Sequence, residues 1–585
     1  MKIRKISLAL LMGLVALSSC SDKLEVQNPN QQTSGTFGNT DEELEESVIA
    51  IYKRIRMEGT YARVGYTIDE VRGDEVWNSS QVWYLPFDDF NDPSTDEIGS
   101  WIWRDWYYVI NACNYVLSKI PEKTNNETKD RMRGQALFFR GLSYYNLACY
   151  FQRPVLITNY STYADIETLY NQKNATFDET MDLVESDFKE ALDLLPSKSV
   201  GGEWAKGRAN KGAAAGYLAR AYMQRQKYAE ARPLLQAIVD KVYGDYDLVS
   251  NYGDNFREGT DYENNKESIF EVQFLDYGQQ GVDDEWTPVN TSSNATQAHA
   301  IESNQCPKDF GGWADLSASP WLYRLFKAEK TSDYKLDPRL YWTLGTYEND
   351  WNATYPTGGF GNVAYTKEIS ATDNIHTNLT YGGIAIAKYT NMRTGLYSAV
   401  TTGLKCGINV RLMRYADVLL RLAECINEIE GPTETAVGYI NQVRKRANLK
   451  ELDWKKFNKE TLFEQIANVE RPKEFGCEHG RGFDLLRWGW FYDAGRLQQM
   501  KDHAQVYMGS NVIVTDVDAT VGTKKSSFDT WQAGKEFLPI FQTYLDQCEG
   551  LEENSANGNG TSNQSWYSGK TIHSVAQIPA DIYKK

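Results

Sequence analysis

The chain has 585 residues, and its 62 Lys and Arg are outnumbered by 79 Asp and Glu, for a formal charge of −17 at pH 7. That balance argues against nucleic acid and polyanionic ligands, which need a basic surface to release counterions, and favours a neutral ligand. Aromatic residues make up 13% of the chain, with 37 Tyr and 16 Trp. No linker-like stretch separates Glu42 from Gly550, so one large unit is expected where length alone suggests several.

The chain starts with the basic residues Lys2, Arg4 and Lys5, the apolar stretch Ser7 to Leu17, and then Ser18-Ser19-Cys20. An apolar core of about a dozen residues is too short to cross a hydrocarbon layer of roughly 30 Å, so 1–19 reads as a signal peptide. Leu17-Ser18-Ser19-Cys20 looks like a bacterial lipobox, which makes Cys20 the expected site of acylation, palmitate included, and the first residue of the mature protein. Each buried methylene contributes about 0.8 kcal/mol, so several acyl chains would hold a water-soluble body at a membrane. The polar residues 20–40 then read as a flexible tether.

Helical periodicity dominates the chain from Asp41 onward. Leu44, Val48, Ile49 and Tyr52 fall three and four apart between Asp41 and Arg56, with acidic residues in the first turn. Further helices are expected at Trp103–Lys119, Lys129–Phe151 and Phe177–Leu195, the last followed by Pro196. Between Asn210 and Val242, Leu218, Ala219 and Tyr222 precede Tyr228, Ala231, Leu235 and Ile238, and the two alanines stand as in a tetratricopeptide repeat. One such pair cannot bury its apolar face alone and implies neighbours. Leu412–Glu430 and Glu434–Ala447 repeat the arrangement less faithfully. The expected fold is therefore mostly α, with a tetratricopeptide-like scaffold over 41–244 and 407–500. A loop-rich, partly β insert spans 245–406, the single domain runs over 41–550, and a polar tail occupies 551–585, of which Ile572–Tyr583 could dock. A long insert on a helical scaffold is where binding groups are expected.

The residues do not suggest chemistry. Five histidines form no His-Glu-x-x-His pattern, and there is no Cys-x-x-Cys pair, Walker loop, Gly-x-Ser-x-Gly or dinucleotide fingerprint. No catalytic residue, cofactor or transition metal is therefore assigned. Asp88-Asp89-Phe90-Asn91-Asp92-Pro93-Ser94-Thr95-Asp96-Glu97 could hold a structural calcium ion, but it lacks the glycine and closing Glu of an EF-hand and reads better as a solvated acidic loop. Of seven body cysteines, Cys113, Cys149 and Cys425 fall in helical patterns, where a small buried hydrophobe is the simpler reading.

Aromatic placement in loops is more suggestive. Trp77, Trp83 and Tyr84 lie beside Asp74, Asn78 and Gln81, and the insert offers Trp286, Asn290 and Gly311-Gly312-Trp313, with Arg393 and Tyr397 as weaker additions. A sugar has an apolar face that a flat ring covers and a hydroxyl rim that amides, carboxylates and guanidinium groups bind. Against this stands plain core packing, evenly weighted for any one of these tryptophans, since Trp is highly buried on average though seldom completely.

Four stretches, in order and covering nearly all of the mature chain, resemble the SusD/RagB family. The first runs from Trp106-Tyr107-Tyr108-Val109-Ile110-Asn111-Ala112-Cys113-Asn114 into Gln135-Ala136-Leu137-Phe138-Phe139-Arg140-Gly141 and on to Leu156, and the second is the repeat pair. The third is Arg414-Tyr415-Ala416-Asp417-Val418-Leu419-Leu420-Arg421-Leu422-Ala423-Glu424 with Ile440 to Ala447. The fourth is Glu470-Arg471, Glu474, Glu478, Gly480-Arg481, Asp484-Leu485 and Arg487-Trp488-Gly489. Their Arg and carboxylate residues at near-helical spacing fit buried ion pairs better than catalysis. Pro472 departs from the family pattern and should start or kink a helix, and Phe541 replaces the second proline of a closing Pro-Ile-Pro motif. The resemblance implies a glycan-binding, non-enzymatic lipoprotein on the outer membrane, facing the cell exterior, partnered by a SusC-like TonB-dependent transporter and anchored in lipid through Cys20. Peptide capture is the nearest alternative, and a lipid-anchored glycosidase a more distant one.

Overall fold

The computed structural model describes residues 37–79, 81–198, 204, 206–275, 298–306, 312–313, 315–345, 384–390, 406–508, 523–553, 567 and 569–583. The signal peptide, Cys20 and most of the tether lie outside this set. Residues 1–46 and 47–585 are two compact units. In the first, Glu43 closes a capping box: its carboxylate accepts the Asn39 N–H at 2.8 Å and the Thr40 N–H at 3.3 Å, and its own N–H donates to Thr40 Oγ1 at 3.2 Å. That box starts helix α1, Asp41–Arg54.

The second unit is built on helices. Buried α2, Val64–Val71, is followed by α3, Glu97–Lys119, and α4, Glu127–Phe151. α3 starts earlier than its apolar pattern because Asp96 accepts the Ile98 N–H at 2.8 Å and caps it. α5, Phe177–Leu194, opens on a Thr176–Glu179 capping box and stops before Pro196. α6, Lys211–Gln224, and α7, Tyr228–Val239, are the repeat pair, joined by a short turn, with Ala219 and Ala231 fully buried. Within the insert lies α8, Pro320–Lys327, and after it come α9, Tyr415–Glu430, and α10, Glu434–Arg446. Neighbouring members of the series α3 to α7 pack on one another, α9 packs directly on α7, and α10 packs on α9. The insert therefore leaves and rejoins a continuous helical stack, as a tetratricopeptide-like scaffold requires.

Among the described residues the strands form four two-stranded antiparallel ribbons. They are β1 (Val76–Asn78) with β3 (Leu316–Ala318), β2 (Ser268–Val272) with β6 (Val410–Arg414), β4 (Leu344–Gly345) with β5 (Ala385–Ile386), and β7 (Gln505–Met508) with β8 (Thr523–Ser526). β6 corrects the expected helix start at Leu412. All five of its residues are buried, and a run buried on both faces carries no periodicity that separates strand from helix. Pro472 lies in the first turn of α11, Arg471–Phe475, directly after the π-helical turn Ile466–Glu470. The wider turn accommodates a residue that has no N–H and whose ring would crowd the carbonyl four residues back.

The third and fourth family stretches lie inside. Arg414 bridges Glu267 at 2.6 Å, Glu474 at 2.8 Å and Glu478 at 2.8 Å. Arg471 joins Asp417 at 2.8 Å to Asp484 at 2.6 Å. In α12, Arg481–Arg487, Arg487 holds Glu424 at 2.5 Å and Asp484 at 2.7 Å. All these side chains are buried and are paired with one another, as the scaffold reading of the motifs anticipates. The seven body cysteines are free thiols, and Cys113, Cys149 and Cys425 are buried in α3, α4 and α9. In the tail, Tyr567 and Ile582 are buried, and the Tyr583 hydroxyl donates to Gln465 at 3.0 Å.

Candidate functional site

The ribbon β1·β3 joins the two aromatic loops that the sequence offers far apart. Val76 faces Ala318, Trp77 faces Ser317 and Asn78 faces Leu316. Because the strands are antiparallel, the loop that leaves Asn78 and the segment that enters Leu316 lie at the same end. Hydrogen bonds extend this pairing: the Ser79 N–H and hydroxyl both donate to the Asp315 carbonyl, at 2.8 and 3.0 Å. Asn78 closes the turn, accepting the Gln81 N–H at 3.0 Å and donating to the Gln81 carbonyl at 2.7 Å. The Trp313 N–H donates to the Ser303 carbonyl at 2.5 Å, adding a third segment to the same end.

The aromatic side chains there divide into two kinds. Trp83 is 40% exposed and Trp313 is partly exposed. Tyr84 is buried, its hydroxyl takes the Asn304 amide at 3.3 Å, and burial pushes its phenol up to about 12. Trp77 is only 2% exposed and packs beneath the loop. Asp74 has no exposed surface. Its two oxygens accept from Arg481 at 2.6 and 2.9 Å, and one also meets His503 at 2.8 Å. Burial alone would raise this carboxyl, but the Arg481 guanidinium and the hydrogen bond with His503 hold it below the usual carboxylate range. His503, at the end of helix α13 (Ala494–His503), stacks on Trp321 with ring centroids 3.7 Å apart. Asp74, Trp77 and Asn78 are therefore buried rather than displayed on the loop. The sequence could not separate them from Trp83, because all four lie within one ten-residue stretch. Trp286, Asn290, Arg393 and Tyr397 lie outside the described residues.

Three contributors carry no sequence signature. Arg63 places its guanidinium 5.6 Å from the Trp313 ring centroid and is held by Glu58 at 2.9 Å. Asn304 donates to Thr67 at 2.8 Å as well as to Tyr84. Glu58 opens and Arg63 follows a π-helical turn, Glu58–Ala62, whose Gly59 sits so close to α3 that a Cβ there would meet the Trp101 carbonyl oxygen at 2.1 Å. Only the partly polar run from His299 to Cys306, adjoining Trp313, hints at this shell in the sequence.

The acidic stretch 88–97 departs from the solvated loop expected of it, since Asp88 and Asp92 are buried. Asp88 accepts from Ser527 and from the Asn78 N–H, Asp89 meets Lys525, Asp92 meets Arg72, and Asp96 caps α3. Its carboxylates point to separate partners. Among the described residues no group of three or more His, Cys, Asp or Glu could hold a metal ion. The geometry offers an indole and a second, guanidinium-backed indole with amides close by, which suits a neutral ligand with one flat apolar face and a polar rim.

Comparison with known proteins agrees with this architecture. Residues 22–223 match the family model described as starch-binding, associating with outer membrane, and residues 266–557 match that of the SusD family. Relatives include SusD-like protein P25 of Formosa agariphila, 24% identical over 498 residues, 81% of this chain and 88% of that one. A SusD-like protein of Bacteroides ovatus is 23% identical over 548 residues, 89% of each chain. Among solved structures, a SusD superfamily protein from Bacteroides vulgatus superposes with a TM-score of 0.68 at 23% identity, covering 89% of this chain and all of the other. Surface glycan-binding protein A from Bacteroides thetaiotaomicron, in complex with laminarihexaose, gives 0.62 at 20% identity, covering 88% and 99%. At such identities the structural likeness shows the fold alone. Among the described residues no helix is long and apolar enough to cross a membrane. With the two family models together spanning nearly the whole chain beyond residue 21, this protein belongs to the SusD/RagB family.

Proposed function

We propose that this protein is a non-enzymatic, surface-exposed glycan-binding lipoprotein that captures an oligosaccharide and delivers it to a TonB-dependent outer-membrane transporter. The observation that carries the reading is the end of the β1·β3 ribbon, where Trp83 and the Arg63-backed Trp313 are both at least partly exposed. The laminarihexaose carried by one structural relative supports a carbohydrate as the ligand class. Trp286, Arg393 and Tyr397 stay in the proposed binding set. Acylated Cys20 on the tether keeps the body at the outer membrane, above its transporter.

Titration calorimetry of the purified protein against a panel of neutral oligosaccharides tests the site. Trp83→Ala and Trp313→Ala should each weaken the best ligand about tenfold, which corresponds to about 1.4 kcal/mol. Unchanged affinity in both rejects the assignment, and binding confined to a digested-protein arm favours peptide capture. Cys20→Ala should abolish acyl labelling and uptake in cells while leaving the calorimetric affinity intact.

A further inference from the structure

A second surface feature, which the glycan reading does not use, lies on the hairpin after α8. Lys330 and Leu336 form an antiparallel bridge, and Tyr334 sits at the tip with 79% of its surface exposed and a φ of +65°. A non-glycine residue in the left-handed region is strained, and persists only where its surroundings fix it. Here they do. The Thr331 N–H donates to the Lys335 carbonyl at 2.9 Å, the Tyr334 N–H to the Thr331 carbonyl at 2.9 Å, and the Lys335 N–H to Thr331 Oγ1 at 2.9 Å. Beyond the turn, the Ser332 N–H donates to the Asn448 carbonyl at 2.8 Å and the Asn448 amide to Asp333 at 2.8 Å, which ties the hairpin to the end of α10.

The charge around this tyrosine is opposite to that of the whole chain. From Arg324 to Lys335 the exposed or half-exposed ionic side chains are Arg324, Lys327, Lys330, Asp333 and Lys335, four cations against one anion, and Lys445 is exposed just before Asn448. Lys335 pairs with Asp333 at 2.9 Å, while Lys330 and Lys445 have no ion pair among the described residues. In a chain of charge −17, an exposed aromatic ring on a fixed turn with a lysine rim is a local inversion.

We infer that the Tyr334 hairpin is a docking surface for an acidic protein partner: Tyr334 enters a pocket on carboxylate-bearing external loops of the transporter, and Lys330, Lys335 and Lys445 meet those carboxylates. The inference rests on the transporter reading above. A pre-set turn loses little backbone freedom on binding, which suits a shaped protein pocket, whereas attraction to an anionic membrane needs charge but no strained backbone. Complementary charge of this kind speeds association and is screened by salt.

The test uses the full-length lipidated protein in its own outer membrane, with a photo-crosslinking residue at position 334. The expected result is a covalent adduct with a TonB-dependent barrel, reduced at least about fivefold by Lys330→Glu with Lys335→Glu, and likewise by about 0.5 M salt, where the Debye length falls to roughly 4 Å. Oligosaccharide affinity of Tyr334→Ala should equal that of the unaltered protein. An adduct with lipid alone overturns the inference, as does a barrel that co-purifies with the protein but is never labelled from position 334. If no barrel co-purifies at all, the transporter reading fails and the docking surface with it.

Discussion

The buried ionic lattice around Arg414 and the exposed end of the β1·β3 ribbon use the same residue types to opposite ends. In the lattice, guanidinium and carboxylate groups saturate one another: Arg414 alone meets Glu267, Glu474 and Glu478, all buried. At the ribbon, Asp74 is saturated by Arg481 and His503, yet Trp83, a few residues on, is left at the surface. The most motif-dense part of the chain is thus its most internal part, and a cluster of charges in sequence marks structure here, whereas the proposed ligand face draws on residues brought together from three distant segments.

Breaking the lattice should have the largest effect. Arg414→Met removes the cation shared by Glu267, Glu474 and Glu478, which keep only Arg446, Arg339 and Lys388 between them, a loss of about 3 kcal/mol of stability. Chemical denaturation of the variant measures it, and a loss below about 1 kcal/mol would refute the view that the lattice holds the fold. Trp77→Ala should cost about 3 kcal/mol as well, because a large ring leaves a cavity under the loop. Its glycan affinity should fall only as far as the loop loses its shape, so a variant of full stability with abolished binding would return Trp77 to the ligand face.

The helical scaffold was legible in the sequence because its signals are local. The apolar spacing of Leu44, Val48 and Tyr52, the spacing of Ala219 and Ala231, and Pro196 after α5 each act within a few residues of the element they define. What was not legible is non-local. Nothing near Trp77 announces a Ser317 partner, nothing near Arg63 announces Trp313, and β6 carries no alternation because it is buried on both sides. Trp77 and Trp83 look alike in sequence, and only the pairing of β1 with β3 decides which ring is covered.

Acid should probe the interior less severely. Burial pushes the imidazoles of His299 and His479 down to about 3, so both stay neutral in the folded protein while the unfolded chain takes up protons below about 6.5. The stability from each is complete above about 6.5 and is lost as pH falls toward 3, at about 1.4 kcal/mol per pH unit. Asp69, Glu75 and Asp88 run the other way: burial raises each to about 7, so their contribution is complete in acid and lost as pH rises through 7. These opposing slopes overlap in the wild type, but they cancel in a comparison with His479→Phe, which keeps a ring among Tyr61, Tyr66 and Phe483. Urea denaturation between pH 7 and 4 should show the variant gaining on the wild type by about 1.4 kcal/mol per pH unit below 6.5, and parallel curves would contradict it.

The smallest effect on folding should come from Trp83→Ala, and that is why it separates the two regions most cleanly. Trp83 is 40% exposed on a turn whose shape is fixed by Asn78 and Ser79, so its removal should change stability by less than about 0.5 kcal/mol. The same substitution removes a flat apolar surface from the proposed ligand face and should reduce glycan affinity about tenfold. Trp313→Ala should behave similarly in binding but with a larger folding cost, since Arg63 packs over that ring. If Trp83→Ala lowers stability and affinity in proportion, the ring belongs with Trp77 as support; affinity lost at constant stability places it with the ligand.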